Sequence, residues 1–142
     1  MERILGLDVG DKTIGVAVSD LLQLTAQGLT TIRRESKVKD YAALEEIMKE
    51  YNIQKVVVGL PKNMNGTLGP QGDKTIKFAE KLKNKYKVEI IYEDERLTTL
   101  SAEKILIEGD MRRDKRKTVI DKVAATFILQ SYLDRKGRLG ND

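Results

Sequence analysis

Residues 3–19 read RILGLDVGDKTIGVAVS, and this stretch decides the fold. Side chains of two kinds alternate over 3–9 and again over 13–19, which is the two-residue period of β-strands. Gly10-Asp11 between the two segments predicts a tight turn. The chain therefore opens with a β-hairpin, and Asp8 lies at the carboxyl end of its first strand.

The alternation also separates the two faces of each strand. Over 3–9, one face carries Ile4, Gly6 and Asp8, and the other carries Leu5, Leu7 and Val9. Over 13–19, one face carries Ile14, Val16 and Val18, and the other carries Gly15, Ala17 and Ser19. Asp8 thus places a charge at the edge of an otherwise apolar surface.

Further strands are predicted by apolar runs, and helices by apolar residues three and four positions apart. The strands are expected within 24–33, over 55–60 and over 88–92. The Gly-, Pro- and Asn-rich stretch 61–72 is expected to be a loop. The helices are expected over 41–51 with Asp40 as an N-cap, over 76–86 with Asp73 as an N-cap, over 100–108 with Gly109 at the end, and from 119 to about 134.

This order of elements, β-β-β-α-β-α-β-α-α, predicts an α/β fold. We expect a mixed five-stranded sheet in which three antiparallel strands are followed by a βαβα arrangement, with helices flanking the sheet. The uninterrupted apolar run at 55–60 is typical of a central strand buried on both faces. A single domain is expected over 1–135, with a frayed tail over 136–142.

The chain of 142 residues contains no cysteine and no histidine. Disulfides, thiolate nucleophiles, Ser-His-Asp catalysis and histidine-ligated zinc are therefore excluded. Lys plus Arg number 26 against 22 Asp plus Glu, and a net charge of +4 does not by itself identify a nucleic-acid partner. The N-terminus begins with charged residues and a strand, and no apolar run approaches about 20 residues, so we expect a cytoplasmic protein without membrane contact.

Three acidic positions could converge. Asp8 and the pair Asp94-Glu95 follow the first and fifth strands, whose carboxyl ends meet at one edge if the strands run parallel. Asp121 opens the last predicted helix, where the helix dipole favours an ionised carboxylate. The alternatives are a turn-ordering Asp8, a solvated charge cluster after the fifth strand, and a capping box of Thr118 and Asp121. Carboxylates without His or Cys favour oxygen-only ligation of Mg²⁺ or Mn²⁺ in phosphodiester hydrolysis.

A run of basic residues precedes Asp121, and Lys12 lies in the first turn. A solvated loop is the usual meaning of such a run, whereas beside a metal site it favours contact with a polyanion. Aromatic residues make up only 5% of the chain, so recognition of a nucleic-acid backbone is favoured over base stacking. The run consists of Arg112, Arg113, Lys115, Arg116 and Lys117.

Four segments together resemble the YqgF/RuvX family of RuvC-like proteins with the ribonuclease-H-like fold. They are 6–20, Gly59-Leu60-Pro61 with Gly66, 94–99, and 121–133. The likeness covers nearly the whole chain in order, although Thr13 stands where the family often has arginine. The resemblance implies a ribonuclease-H-like sheet and places Asp8, the Asp94-Glu95 pair and Asp121 at the family's acidic site, with Glu95 favoured over Asp94.

The resemblance implies a metal-dependent endonuclease, associated with maturation of the 5′ end of 16S ribosomal RNA or with Holliday junctions. We expect Asp8, Glu95 and Asp121 to hold Mg²⁺ or Mn²⁺, with water attacking phosphorus in line. Pre-rRNA or branched DNA is the expected partner, ribosomal particles are candidate partners, and the oligomeric state stays open. The residues expected to bind the substrate backbone are Lys12, Arg96, Arg112, Arg113, Arg116 and Lys117.

Two other functions stay open at this point. A non-catalytic RNA-binding ribosome-assembly factor would keep the basic surface, while its acids would only cap helices and order turns. The Gly-x-Asp-x-Gly opening also resembles the phosphate hairpin of sugar kinases and actin-like ATPases, but 142 residues leave no room for the second domain that closes over ATP. Binding of Mn²⁺ distinguishes the first alternative, and binding of ATP the second.

Overall fold

The computed structural model describes residues 2–63, 65–94 and 113–138, with the side chains of all of these except 113–121 and 138. Within them the chain forms five strands and three helices. The strands are β1 (Ile4–Val9), β2 (Thr13–Ser19), β3 (Ala26–Arg33), β4 (Lys55–Leu60) and β5 (Glu89–Asp94), and the helices are α1 (Lys37–Glu50), α2 (Pro70–Tyr86) and α3 (Arg113–Arg138). The helix predicted over 100–108 lies outside the described residues.

The strands form one mixed sheet in the order β3-β2-β1-β4-β5. The first three strands pair antiparallel, whereas β1 with β4 and β4 with β5 pair parallel. The predicted α/β sheet of three antiparallel strands followed by βαβα is therefore confirmed. Because β1, β4 and β5 run in the same direction, their carboxyl ends lie along one edge of the sheet.

The two faces of the sheet are covered by different helices, which agrees with the predicted helices on the faces of a mixed sheet. The larger apolar residues of β1 and β2 pack with Leu44 of α1 and Leu82 of α2. On the other face, Ile4 and Ala17 pack with Leu129 and other apolar residues of α3. The central strand β4 contributes to both clusters, which confirms its predicted burial on both faces.

Two of the predicted helix caps are wrong. The N-cap of α1 is Ser36, whose hydroxyl oxygen accepts the Lys39 backbone N–H, and Asp40 lies buried in the first helical turn. The N-cap of α2 is Gly69, and Asp73 lies in the first turn. Pro70 starts α2 because the first helical position needs no N–H donor, so the predicted loop 61–72 ends earlier than expected.

The last helix begins at Arg113 instead of 119. Its added residues are mostly Lys and Arg, which are good helix formers, and no Gly or Pro interrupts them. Thr118 and Asp121 therefore lie inside the helix, and the predicted capping box is wrong. The basic run from Arg113 onward is helical, so the alternative of a solvated loop is also wrong for that part. The predicted domain limits at 135 and 136–142 stay predictions.

None of the helices formed by the described residues is long and apolar enough to cross a membrane.

Candidate active site

Asp8 is the penultimate residue of β1 and is partly buried. It pairs with Gly15 of β2 in the antiparallel register. It shares its face with Ile4 and Gly6, the face that α3 covers. Asp8 therefore lies two residues beyond the Gly6 contact, on the face of β1 that α3 covers.

The register across the parallel strands decides which acidic residues share the face of Asp8. Leu7 is level with Val58, and Val58 with Tyr92, and these three side chains pack on the face of α1 and α2. Asp94 follows Tyr92 by two residues, so strand alternation places it on that same face. Asp8, next to Leu7, lies on the opposite face. The sheet thus argues against Asp94 as the partner of Asp8, while Glu95, Arg96 and Arg112 lie outside the described residues.

Helix α3 crosses the sheet directly over Gly6. A Cβ on Gly6 would lie 2.7 Å from Cβ of Leu129 and 3.1 Å from the carbonyl oxygen of Ala125. The close approach is possible because glycine has no side chain. This contact fixes the height of α3 above β1, one helical turn after Asp121 and two strand residues before Asp8.

The direction of α3 follows from its contacts with β3. The Gln130 side chain accepts the Ala26 N–H at 2.8 Å and donates to the Leu24 carbonyl at 3.0 Å, whereas Lys122 lies over Gly28. As β3 advances from 26 to 28, the helix runs back from 130 toward 122. Because β3 and β1 point the same way, α3 runs antiparallel to both strands.

These contacts bring the backbone of position 121 toward the Asp8 end of β1. Four helical residues from Ala125 to Asp121 span about 6 Å. Two strand residues from Gly6 to Asp8 span about 6.6 Å. The two segments cover nearly equal distances in the same direction from the Gly6 contact. Asp121 is the ninth residue of α3, so the positive end of the helix dipole does not act on it as the sequence suggested.

The basic positions predicted to bind substrate fall into two groups. Lys12 is exposed in the turn between β1 and β2. Arg113, Arg116 and Lys117 lie in the first two turns of α3, before position 121. Both groups are therefore attached to the elements that carry Asp8 and Asp121.

Glu93 is a buried carboxylate that the sequence reasoning missed. It lies on the Asp8 face of β5 and is only 4% exposed. Its Oε2 accepts hydrogen bonds from Ser131 Oγ and Arg135 Nη1, both at 2.8 Å, and its Oε1 lies 2.7 Å from the same guanidinium nitrogen. These contacts compensate its charge and attach α3 to the last strand.

A groove of about 810 Å³ lies between α1 and α2, next to the end of β1. Its lining carries the cations Arg34, Lys37, Lys74, Lys77 and Lys81 and the acids Asp11, Glu35, Asp40 and Glu80. With charges so nearly balanced, the groove is not a strongly basic surface. Its main feature is the ion pair of Arg34 with Asp40 at 2.9 Å.

Among the described side chains, no three acidic residues lie close enough together to hold a metal ion. Two of the three expected ligands fall outside that set, since Glu95 is not described and the side chain of Asp121 is not described. The part of the expected site that the structure describes is thus Asp8 and the backbone of position 121.

Comparison with known proteins decides the family. A model of the RuvX family, described as Holliday junction resolvase, matches residues 2–135. The chain belongs to the RuvX family. The resemblance read from its four segments is thereby confirmed, and family membership makes this RuvX chain a hydrolytic nuclease.

Close relatives of this RuvX chain carry the name "Putative pre-16S rRNA nuclease". The protein from Caldanaerobacter subterraneus subsp. tengcongensis is 67% identical over 133 residues, which cover 93% of this chain and 96% of the relative. The protein from Clostridioides difficile is 60% identical over 134 residues, covering 94% and 95% of the two chains. The RuvX chain therefore matches these relatives over nearly their whole length.

Solved structures of resolvases share the fold. Thermus thermophilus RuvC, in complex with a Holliday junction substrate, matches 99% of this RuvX chain and 97% of its own, with a TM-score of 0.61 and 14% identity. The yeast mitochondrial Holliday junction resolvase matches with the same TM-score and 10% identity, over 97% of this chain and 80% of its own. These likenesses confirm the predicted ribonuclease-H-like fold.

Proposed function

We propose that this nuclease cleaves phosphodiester bonds in structured RNA and that its substrate is the 5′ end of pre-16S rRNA. Asp8, Glu95 and Asp121 are the proposed catalytic acids and ligands of Mg²⁺ or Mn²⁺. The observation that carries the proposal is the contact of α3 with Gly6, from which β1 and α3 run to Asp8 and to position 121 over nearly equal distances. Asp94, on the opposite face of β5, leaves Glu95 as the favoured second ligand.

The chemistry of the donors fits a hard divalent cation. The chain has no His and no Cys, so carboxylates are its available charged ligands. Mg²⁺ and Mn²⁺ prefer such oxygen donors. A cation of this kind, when bound, activates water and stabilises the leaving oxygen of a phosphodiester.

The chain itself holds and orients the substrate. Lys12 is exposed close to Asp8 and would contact a phosphate flanking the scissile bond. Arg113, Arg116 and Lys117 precede position 121 on α3 and would contact the backbone on the other side, together with Arg96 and Arg112. Contacts to phosphates fix register without reading sequence, so substrate choice would depend on shape.

The close relatives favour pre-16S rRNA as the substrate. Proteins 54–67% identical to this chain carry that substrate in their names, and the match extends over nearly their full length. A four-way DNA junction is the second candidate, because the family is described as Holliday junction resolvase. Both substrates contain phosphodiester bonds, which the same acids and cations could bind.

Cleavage of both substrates tests the proposal. A labelled precursor 16S 5′ end and a labelled four-way DNA junction are incubated with Mn²⁺ and wild type, Asp8→Asn or Asp94→Asn. We expect wild type and Asp94→Asn to cleave the RNA, and Asp8→Asn to bind it without cleavage. Asp94→Asn is the matched control, since it removes a neighbouring carboxylate from the opposite face.

Junction cleavage alone would move the assignment to a DNA resolvase. Undiminished cleavage by folded Asp8→Asn would overturn the site, and binding without any cleavage would favour the non-catalytic assembly factor.

A further inference from the structure

The turn that follows Asp8 is held at both ends by one residue. The Gly10 carbonyl accepts a hydrogen bond from Arg34 Nη1 at 2.8 Å, and the Lys12 carbonyl accepts the Arg34 backbone N–H at 2.9 Å. The Gly10 N–H closes the turn by donating to the Thr13 carbonyl at 2.9 Å. The turn between β1 and β2 is therefore bound to the first residue after β3.

The Arg34 side chain is itself fixed by two helices. Its Nε donates to Asp40 Oδ2 at 2.9 Å, and Asp40 in α1 is only 3% exposed. Asp40 Oδ1 accepts the Glu35 backbone N–H at 3.2 Å, so both carboxylate oxygens are engaged. The guanidinium also lies 5.2 Å from the centre of the Phe78 ring of α2. Arg34 thus cannot move without disturbing both helices.

A purely structural ion pair would need only the contact between Arg34 and Asp40. The additional hydrogen bond to Gly10 reaches a segment that belongs to neither helix. It acts on the turn that connects Asp8, two residues earlier, with Lys12. Misplacement of a reacting group by about 1 Å can cost about 100-fold in rate, so a fixed turn has a direct use at this place.

We propose that Arg34, oriented by Asp40, is a positioning residue that fixes the β1–β2 turn and through it the Asp8 carboxylate and the Lys12 ammonium. This inference rests on the proposed function, because it gives Asp8 and Lys12 their roles. Arg34 touches the Gly10 carbonyl and not the substrate. Its charge is compensated by Asp40, so its contribution is geometric.

The test uses Arg34→Lys in the full chain. Lysine keeps the positive charge beside Asp40, but it lacks the planar guanidinium that reaches Asp40 and Gly10 together. Ser36→Ala is the matched control, because it weakens the start of α1 beside Asp40 and leaves the Gly10 contact intact. Hydrogen exchange of the Gly10 amide is measured by NMR. We expect exchange at least about 10-fold faster in Arg34→Lys and unchanged in Ser36→Ala.

The second readout is steady-state cleavage with Mn²⁺. In Arg34→Lys we expect kcat to fall about 10-fold or more with KM nearly unchanged, and in Ser36→Ala both to stay at the wild-type value. Millimolar guanidinium should restore part of the rate of Arg34→Ala.

Unchanged Gly10 exchange in folded Arg34→Lys overturns the inference whether or not the protein cleaves RNA. Faster exchange with unchanged kcat also overturns it. A wild type without activity would count against the proposed function alone, since the exchange experiment needs no substrate.

Discussion

The backbone of Gly6 in β1 contacts the side chain of Leu129 in α3. A Cβ on Gly6 would lie 2.7 Å from Cβ of Leu129, closer than two carbon atoms approach without a shift. The atom in the way is Cβ of Leu129, which is fixed to the backbone of α3 and cannot rotate aside. The distance between β1 and α3 therefore depends on the absence of one methyl group, and the proposed active site lies on the same two elements.

Gly6→Ala should push α3 away from β1. We expect the free energy of unfolding to fall by about 1–3 kcal/mol, as in other overpacked cores, and Mn²⁺-dependent cleavage to decrease as Asp8 and position 121 separate. Urea denaturation and a cleavage assay measure the two effects. Gly137→Ala in α3 is the control, because a Cβ there meets nothing within 4 Å and should leave stability unchanged or raise it by about 1 kcal/mol. Equal effects of the two substitutions would contradict the close-contact explanation.

Arg135→Met should leave the buried Glu93 without its countercharge. The Arg135 side chain is 46% exposed, so water partly replaces it, and we expect a loss of about 2 kcal/mol in the free energy of unfolding. Lys49→Met is the control for an exposed ion pair, because Lys49 and Glu45 lie one turn apart on the surface of α1. It should change stability by less than about 0.5 kcal/mol. Denaturation of both variants at neutral pH distinguishes the pairs, and a similar small loss in each would mean that Ser131 alone satisfies Glu93.

Ser36→Ala should remove the side-chain cap of α1. The Ser36 hydroxyl accepts the Lys39 N–H at 3.2 Å, and loss of such a cap costs about 1 kcal/mol. Ser36→Asp keeps an acceptor at the same position and should retain wild-type stability. Thermal denaturation of the two variants measures the difference. A loss in Ser36→Asp as large as in Ser36→Ala would show that the contact to Lys39 does not stabilise the helix.

The hairpin and the mixed character of the sheet were accessible from the sequence because they depend on local patterns and on the order of the elements. The alternation around Gly6 and Asp8 separates the faces of the first strand with no knowledge of distant residues, and the apolar run at Lys55–Leu60 is typical of a buried strand. Capping was less accessible, since Ser36 and Asp40 compete within one turn. Tertiary contacts determine which of the two is the cap. Asp40 forms an ion pair with Arg34, and Ser36 is the N-cap of α1.

Other features depend on residues far apart in the chain. The buried charge of Glu93 is compensated by Arg135, which lies 42 residues later in the chain. No residue near Glu93 in the sequence indicates this partner. Arg34 likewise looks like any surface arginine until the fold brings Gly10 to it. For the candidate site, the sequence indicates a set of candidate acids, whereas the height and direction of α3 depend on packing at Gly6.

Tyr92 should be among the last tyrosines to ionise. Partial burial and the hydrogen bond that its hydroxyl donates to Glu80 Oε2 raise the pKa of Tyr92 to about 12. The unfolded chain has a tyrosine pKa of about 10. The folded state therefore holds this proton more tightly, and the corresponding stability is present below pH 10 and lost as the pH rises from about 10 to about 12. The tyrosinate absorbance difference between wild type and Tyr92→Phe measures the pKa. Glu80→Gln should lower it, and a midpoint near 10 in wild type would contradict the effect of the Glu80 contact.

Mn²⁺ should stabilise the protein through Asp8. A ligand that binds only the folded state raises the free energy of unfolding by about 2.7 kcal/mol at 100 times its Kd. We expect this increase in wild type and in Asp94→Asn, and its loss in Asp8→Asn, Asp121→Asn and Glu95→Gln. The pair Asp94→Asn and Glu95→Gln is matched, since the substitutions remove carboxylates adjacent in sequence, and Asp94 lies in β5 on the face away from Asp8. Denaturation with and without Mn²⁺ measures the increase. If Asp94→Asn loses the increase and Glu95→Gln keeps it, then Asp94 and not Glu95 is the second ligand. The Asp94 carboxylate would then have to reach the metal around the end of β5.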